Sequence, residues 1–149
     1  MIRRAVSGDI PACLVMGRAF FDESGFAAET SFDEGSFRLT LERLLAMADG
    51  VLLVADRGGD LVGMAAGIAY PHYFNARQKA AQEMFWWVRP DKRGSPAGVR
   101  LLHELEAWAR EKDCATLTMI CLPELDSPAE RVYQKSGYRA SERGYIKRL

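Results

Sequence analysis

The chain is poor in the side chains that metal or disulfide chemistry needs, with two histidines and three cysteines in 149 residues. Cys13, Cys114 and Cys121 are odd in number and show neither a CxxC nor a His-paired spacing, so reduced thiols are expected and no metal site. Net charge is also absent. Twenty Lys and Arg balance twenty Asp and Glu, and no basic block stands out, which argues against a nucleic-acid or anionic-membrane partner. The longest apolar runs fall far short of a bilayer span, and residues 1–5 lack the charged head and apolar run of a secretory signal. A soluble, cytoplasmic protein is expected. No repeat, low-complexity tract or Pro/Gly/Ser linker divides the chain, so residues 1–149 are expected to form a single domain, and 48% hydrophobic residues suffice for one core.

What is present reads as alternating helix and strand. "IRRAV" alternates as a short strand, after which Asp9 can cap a helix with Pro11 in its first turn, running through "CLVMGRAFF" to Gly25. Phe37, Leu41, Leu44 and Leu45 recur at helical spacing between Phe32 and Met47, with Gly50 closing the run. "VLLVA" and "LVGMAAGIAY" read as strands joined at "DRGGD", a hairpin turn. An irregular stretch with His72, Tyr73 and Phe74 precedes "EMFWWV", which reads as a strand buried on both faces, begun by Glu83. From Pro96, the residues Leu101, Leu102, Leu105, Trp108 and Ala109 form an apolar stripe, with His103 on the polar face. "ATLTMICL" reads as a buried strand in which Cys121 is a small core residue. In "SPAERVYQKSG", Ser127 and Glu130 are spaced as a capping box, Pro128 opens a helix and Gly137 ends it. "GYRASERGYIKRL" reads as two strands turning at "SERG". The order gives an α/β layout on a mixed sheet.

The stretch "RGSPAG", Arg93 to Gly98, lies between a strand and the best-marked helix. A helix start presents unpaired N–H groups at the positive end of the macrodipole, which makes it an anion site. Pro96 removes one donor and leaves those of Gly94, Ser95, Ala97, Gly98 and Val99. The other reading is plain capping, since Ser-Pro opens a second helix at Ser127-Pro128. The loop is not a Walker A loop, because no Lys-Ser/Thr follows its glycines.

The run "VRPDKRGSPAGVRLLHELEAWAREKD" followed by "LDSPAERVYQKSGYR" resembles the GNAT superfamily of acyl-CoA-dependent N-acetyltransferases. Arg93 and Gly98 match the ends of that family's Q/R-x-x-G-x-G/A motif, with Pro96 where glycine is usual, and Ala129, Tyr133, Gly137 and Tyr138 match A-x-x-x-Y-x-x-x-G-[FY]. The resemblance implies a central mixed, mostly antiparallel sheet, splayed between the strand ending at Val88 and the strand around Thr116 to Leu122, with about four helices. It implies acetyl-CoA as co-substrate, its pantetheine arm along Trp87, Val88 and Arg89 and its pyrophosphate on Arg93, Gly94, Ser95, Ala97, Gly98 and Val99. Direct attack of an amine on the thioester would need no metal. Tyr133 occupies the family position that protonates the departing thiolate, against the alternative of a core tyrosine. Glu83 is the better candidate base and His72 the other. Asp126 stands where many members have asparagine, and a carboxylate accepts but does not donate a hydrogen bond.

Two further readings stay open. The mixed aromatic and acidic stretches "FFDESGF" and "YPHYFN" either receive a cationic acceptor or line a helix interface, and Phe85, Trp86 and Trp87 either fill the core or cover a homodimer surface. The competing functional class is a non-catalytic GNAT-like module that binds acyl-CoA or a protein, and retention of Tyr133 favours the enzyme.

Overall fold

In the computed structural model, residues 1–122 and 127–149 are described, so the contact expected of Asp126 lies outside the described residues. The elements run β1 (Ile2–Arg4), α1 (Ile10–Ser24), α2 (Glu34–Ala46), β2 (Gly50–Arg57), β3 (Asp60–His72), β4 (Asn75–Val88), α3 (Ala97–Glu111), β5 (Cys114–Thr118) and α4 (Pro128–Lys135). The five strands form one sheet in the order β1-β2-β3-β4-β5, antiparallel except for the parallel pair β4 and β5.

Alternation along the strands divides the core in two. Leu52, Val54, Met64, Ala66, Phe85 and Trp87 face α1 and α2, where they meet Cys13, Leu14, Leu41 and Leu44. Val51, Leu53, Val62, Ala65 and Ala81 face the other way, against Leu101, Leu105 and Trp108 of α3. Each fully buried leucine contributes about 2 kcal/mol by leaving water. Close approach is built in with glycine: a Cβ on Gly17 of α1 would lie inside the Phe37 ring of α2, and one on Gly67 of β3 would lie 3.0 Å from both Leu105 and Trp108. The β2–β3 turn holds Gly58 at φ 66° and Gly59 at φ 93°, left-handed angles that favour glycine at both positions.

Several sequence expectations are corrected. β4 starts at Asn75, so the irregular stretch shrinks to the turn at Tyr73 and Phe74, and Glu83 lies within the strand instead of at its start. Met84 in that strand is exposed, because it is the extra residue of a bulge: Glu83 pairs with Gly67 and Phe85 with Ala66. β5 is short and largely exposed, and Cys121 beyond it is exposed, not core, because no described element covers that edge. Residues 139–149 form no strand; their large apolar side chains Tyr145, Ile146 and Leu149 face solvent. Asp9 stands at the N-cap of α1, yet its carboxylate accepts from both Arg3 Nη atoms at 2.7 and 2.9 Å and from the Val6 N–H, tying β1 to the helix. Ser127 makes no side-chain cap bond to α4.

Candidate functional site

β4 and β5 pair only from Lys79↔Cys114 to Gln82↔Thr118. Beyond that point β4 continues to Val88 while β5 has ended, which leaves the described sheet open along Glu83 to Val88. Residues alternate along this open edge. The Arg89 N–H donates to the Val62 carbonyl on the β3 side at 2.9 Å, so the Val88 carbonyl faces the gap, where Arg93 Nε donates to it at 3.0 Å.

At the vertex of the gap one residue joins the two candidate catalytic groups. The Ile120 N–H donates to Glu83 Oε2 at 3.0 Å, and the Ile120 carbonyl accepts from the Tyr133 hydroxyl at 3.2 Å. Glu83 is 5% exposed, and burial pushes its carboxyl up to about 7 against the partial relief of the Ile120 N–H. Burial, and then the nearby Glu83, Cys121 and Tyr138, push the Tyr133 phenol well above its ordinary value, so it stays protonated through the neutral range. Its ring lies between Trp86, at 5.5 Å, and Tyr138, at 5.7 Å. The arrangement sets a carboxyl that titrates near neutrality beside a permanent hydrogen-bond donor, the pair that proton removal from an ammonium and protonation of a leaving thiolate require.

The glycine loop ends where α3 begins. Gly94 has φ 80°, and Pro96 takes the N-cap position with helical φ −64°. Two of the five expected amides are occupied: the Ser95 N–H donates to the Lys92 carbonyl at 3.2 Å and the Ala97 N–H to Ser95 Oγ at 3.4 Å. Among the described residues the amides of Gly94, Gly98 and Val99 have no protein acceptor, which suits an anion. Trp86 Nε1 donates to the Gly98 carbonyl at 3.0 Å, and a Cβ on Gly98 would lie 3.3 Å from that indole, so Gly98 seats the helix start on β4. Arg89 pairs with Asp60 and Asp91, anchoring the loop to the β2–β3 hairpin.

Glu83, Tyr133, Val88 and the Arg93–Val99 loop therefore line one gap. His72 does not join them. Its Nδ1 accepts from the Phe74 N–H at 3.2 Å at the hairpin tip, roughly 16 Å along β3 from the residue facing Glu83. His103 is exposed on α3. Trp87 turns its ring toward α1 and its indole N–H toward Glu23. Sequence reading missed Ile120, which acts through its backbone, and the role of Trp86 in seating the loop; it offered the stretch "FFDESGF" for a cationic acceptor without singling out Glu23, whose partners lie 64 and 70 residues away. Among the described residues no group of three or more His, Cys, Asp or Glu is placed to hold a metal ion, and no helix is long and apolar enough to cross a membrane.

An α/β sheet open between β4 and β5, with unpaired amides at a helix start on one side of the gap, defines a class of fold that solved structures share. A predicted acetyltransferase from Clostridium acetobutylicum, solved with acetyl-CoA, superimposes with a TM-score of 0.81 at 18% identity, covering 100% of this chain and 96% of that one. AAC(6')-Iy, solved with the bisubstrate analogue CoA-S-monomethyl-acetylneamine, gives a TM-score of 0.82 at 16% identity, covering 100% and 97%. In sequence, the chain is 30% identical over 106 residues to an aminoglycoside N(6')-acetyltransferase type 1 of Stenotrophomonas maltophilia, covering 69% of each. The model of the acetyltransferase (GNAT) family matches residues 18–138, and the chain belongs to that family. It transfers an acetyl group from acetyl-CoA to an amine.

Proposed function

We propose that this acetyltransferase acts on an amine of a polycationic small molecule of the aminoglycoside kind, with Glu83 as general base and Tyr133 as the donor to the leaving sulfur. The observation that carries this reading is the attachment of both side chains to the N–H and carbonyl of Ile120, at the point where β4 and β5 part. Pantetheine lies along the open edge at Val88, and the diphosphate sits on the free amides of Gly94, Gly98 and Val99, with Arg93 beside them. Glu83 takes one proton from the acceptor ammonium, directly or through water; the amine nitrogen attacks the thioester carbonyl; the tetrahedral intermediate collapses as the C–S bond breaks, Tyr133 protonates the departing thiolate, and the second proton, released by the nitrogen as it becomes an amide, passes through water to restore the phenol. The aminoglycoside relatives support the acceptor class, as do the acids Asp22 and Glu23 among the aromatics of α1. The formal net charge of zero supports a small acceptor over a nucleic acid. Three free thiols and the use of acetyl-CoA support a cytoplasmic setting.

Release of free thiol from acetyl-CoA, followed with aminoglycosides, polyamines and simple monoamines, tests the acceptor class. Turnover is expected to be fastest with aminoglycosides. Equal turnover of monoamines would contradict it.

A further inference from the structure

The Arg93 guanidinium is held by three partners at once. Nη2 pairs with Glu23 Oε2 of α1, Nε donates to the Val88 carbonyl on the open edge of β4, and the cation lies 5.9 Å from the centre of the Trp87 ring. One of those partners, the Val88 carbonyl, stands where acetyl-CoA competes. Pantetheine pairs with the edge at Val88, and the diphosphate on the adjacent amides brings more negative charge than one carboxylate offers. Another partner, Glu23, lies on the α1 side of β4 and is aimed by a second contact: Trp87 Nε1 donates to the same Oε2 at 3.3 Å, from a ring that is itself buried. When Arg93 leaves, Glu23 stays pointed by the indole and carries an uncompensated charge.

We propose that Glu23 binds a second cationic group of the acceptor, and that Arg93 covers it until the diphosphate of acetyl-CoA draws the guanidinium away. This rests on the reading of the Arg93–Val99 loop as the acetyl-CoA site. Trp87, which aims Glu23, lies four residues beyond Glu83 on β4, so the acceptor is an amine with a second positive charge remote from the reacting nitrogen. Both side chains of the ion pair are partly exposed, at 49% for Arg93 and 38% for Glu23, so a multiply charged anion can displace the carboxylate. The exchange makes the two substrates help each other. Acetyl-CoA uncovers the acceptor point, and by reciprocity the polycation, by occupying Glu23, frees Arg93 for the diphosphate.

Calorimetric titration of the full chain, wild type and Glu23→Gln, tests this by the sign of the effect. Glutamine keeps an acceptor for the Trp87 indole and removes the charge that holds Arg93. CoA is expected to bind Glu23→Gln about two- to fivefold more tightly than wild type, the worth of a partly exposed ion pair. Saturating CoA is expected to tighten kanamycin binding to wild type and not to Glu23→Gln. Glu23→Asp, which keeps the charge on a shorter arm, is expected to gain CoA affinity while retaining kanamycin binding. If Glu23 merely props Arg93 in the loop, Glu23→Gln binds CoA equally or more weakly, and the proposal falls. If the CoA-dependent gain for kanamycin persists in Glu23→Gln, it falls as well. Failure of wild type to bind CoA at all would instead overturn the loop assignment.

Discussion

Glu83, the proposed base, is buried, and the Ile120 N–H only partly offsets the cost that burial sets on its charge. Its folded pKa of about 7 lies above the ordinary 4.5, so the native state holds the proton more tightly than the unfolded chain. The stability this protonation supplies is therefore full below pH 4.5 and is lost as pH rises to 7. Glu83→Gln, which cannot ionise, is expected to melt near wild type at pH 4.5 and above it at pH 8, by up to ~3 kcal/mol. The same substitution is expected to lower turnover about 100-fold, while the wild-type rate climbs with an apparent pKa near 7. Thermal melts and initial rates across pH 4.5–9 check both. A Glu23→Gln protein provides the contrast, since its carboxylate sits on the surface and its loss should leave the pH profile of turnover in place.

The loop and helix α3 were legible in the sequence because their signals are local: a positive-φ glycine, a proline at the helix entry, and a stripe at 3.6 spacing. Pro96 lacks one N–H and fixes the entry angle. Pro96→Gly is expected to bind CoA up to about fivefold more tightly, for one added donor near 1 kcal/mol. It is also expected to cost roughly 0.5–1 kcal/mol of stability through the looser unfolded chain. Titration and melting read the two effects separately, and an unchanged CoA affinity would mean that the added amide does not reach the phosphate. The first half of β4 was not legible, because "NARQKAAQ" buries only Ala80 and Ala81 well and shows no alternation of large apolar side chains. β5 misled for the opposite reason: "ATLTMICL" has the composition of a buried strand, but its outer edge has no described partner. Glu83 and Tyr133 could be named from their neighbours and motif. Ile120 could not, since every residue type but proline supplies the same N–H and carbonyl, and Glu23 could be named only as part of "FFDESGF", since the cation that singles it out lies far along the chain.

At the scale of the whole molecule, function follows from a sheet whose two faces are covered independently. α1 and α2 pack one face and α3 the other, so the divergence of β4 from β5 opens a passage between two supported walls. The Arg93–Val99 loop, proposed to hold acetyl-CoA, belongs to the α3 side and Glu23 to the α1 side, and the vertex with Glu83, Ile120 and Tyr133 lies at the strand junction. Tyr133 is thus proposed as a participant in the chemistry and not a prop for CoA. The most direct test is to measure, on Tyr133→Phe, both thiol release from acetyl-CoA with an aminoglycoside acceptor and the rise in melting temperature given by CoA. Turnover is expected to fall about 100-fold with the CoA-induced rise intact. Turnover equal to wild type, or loss of the CoA-induced rise together with the activity, would contradict it.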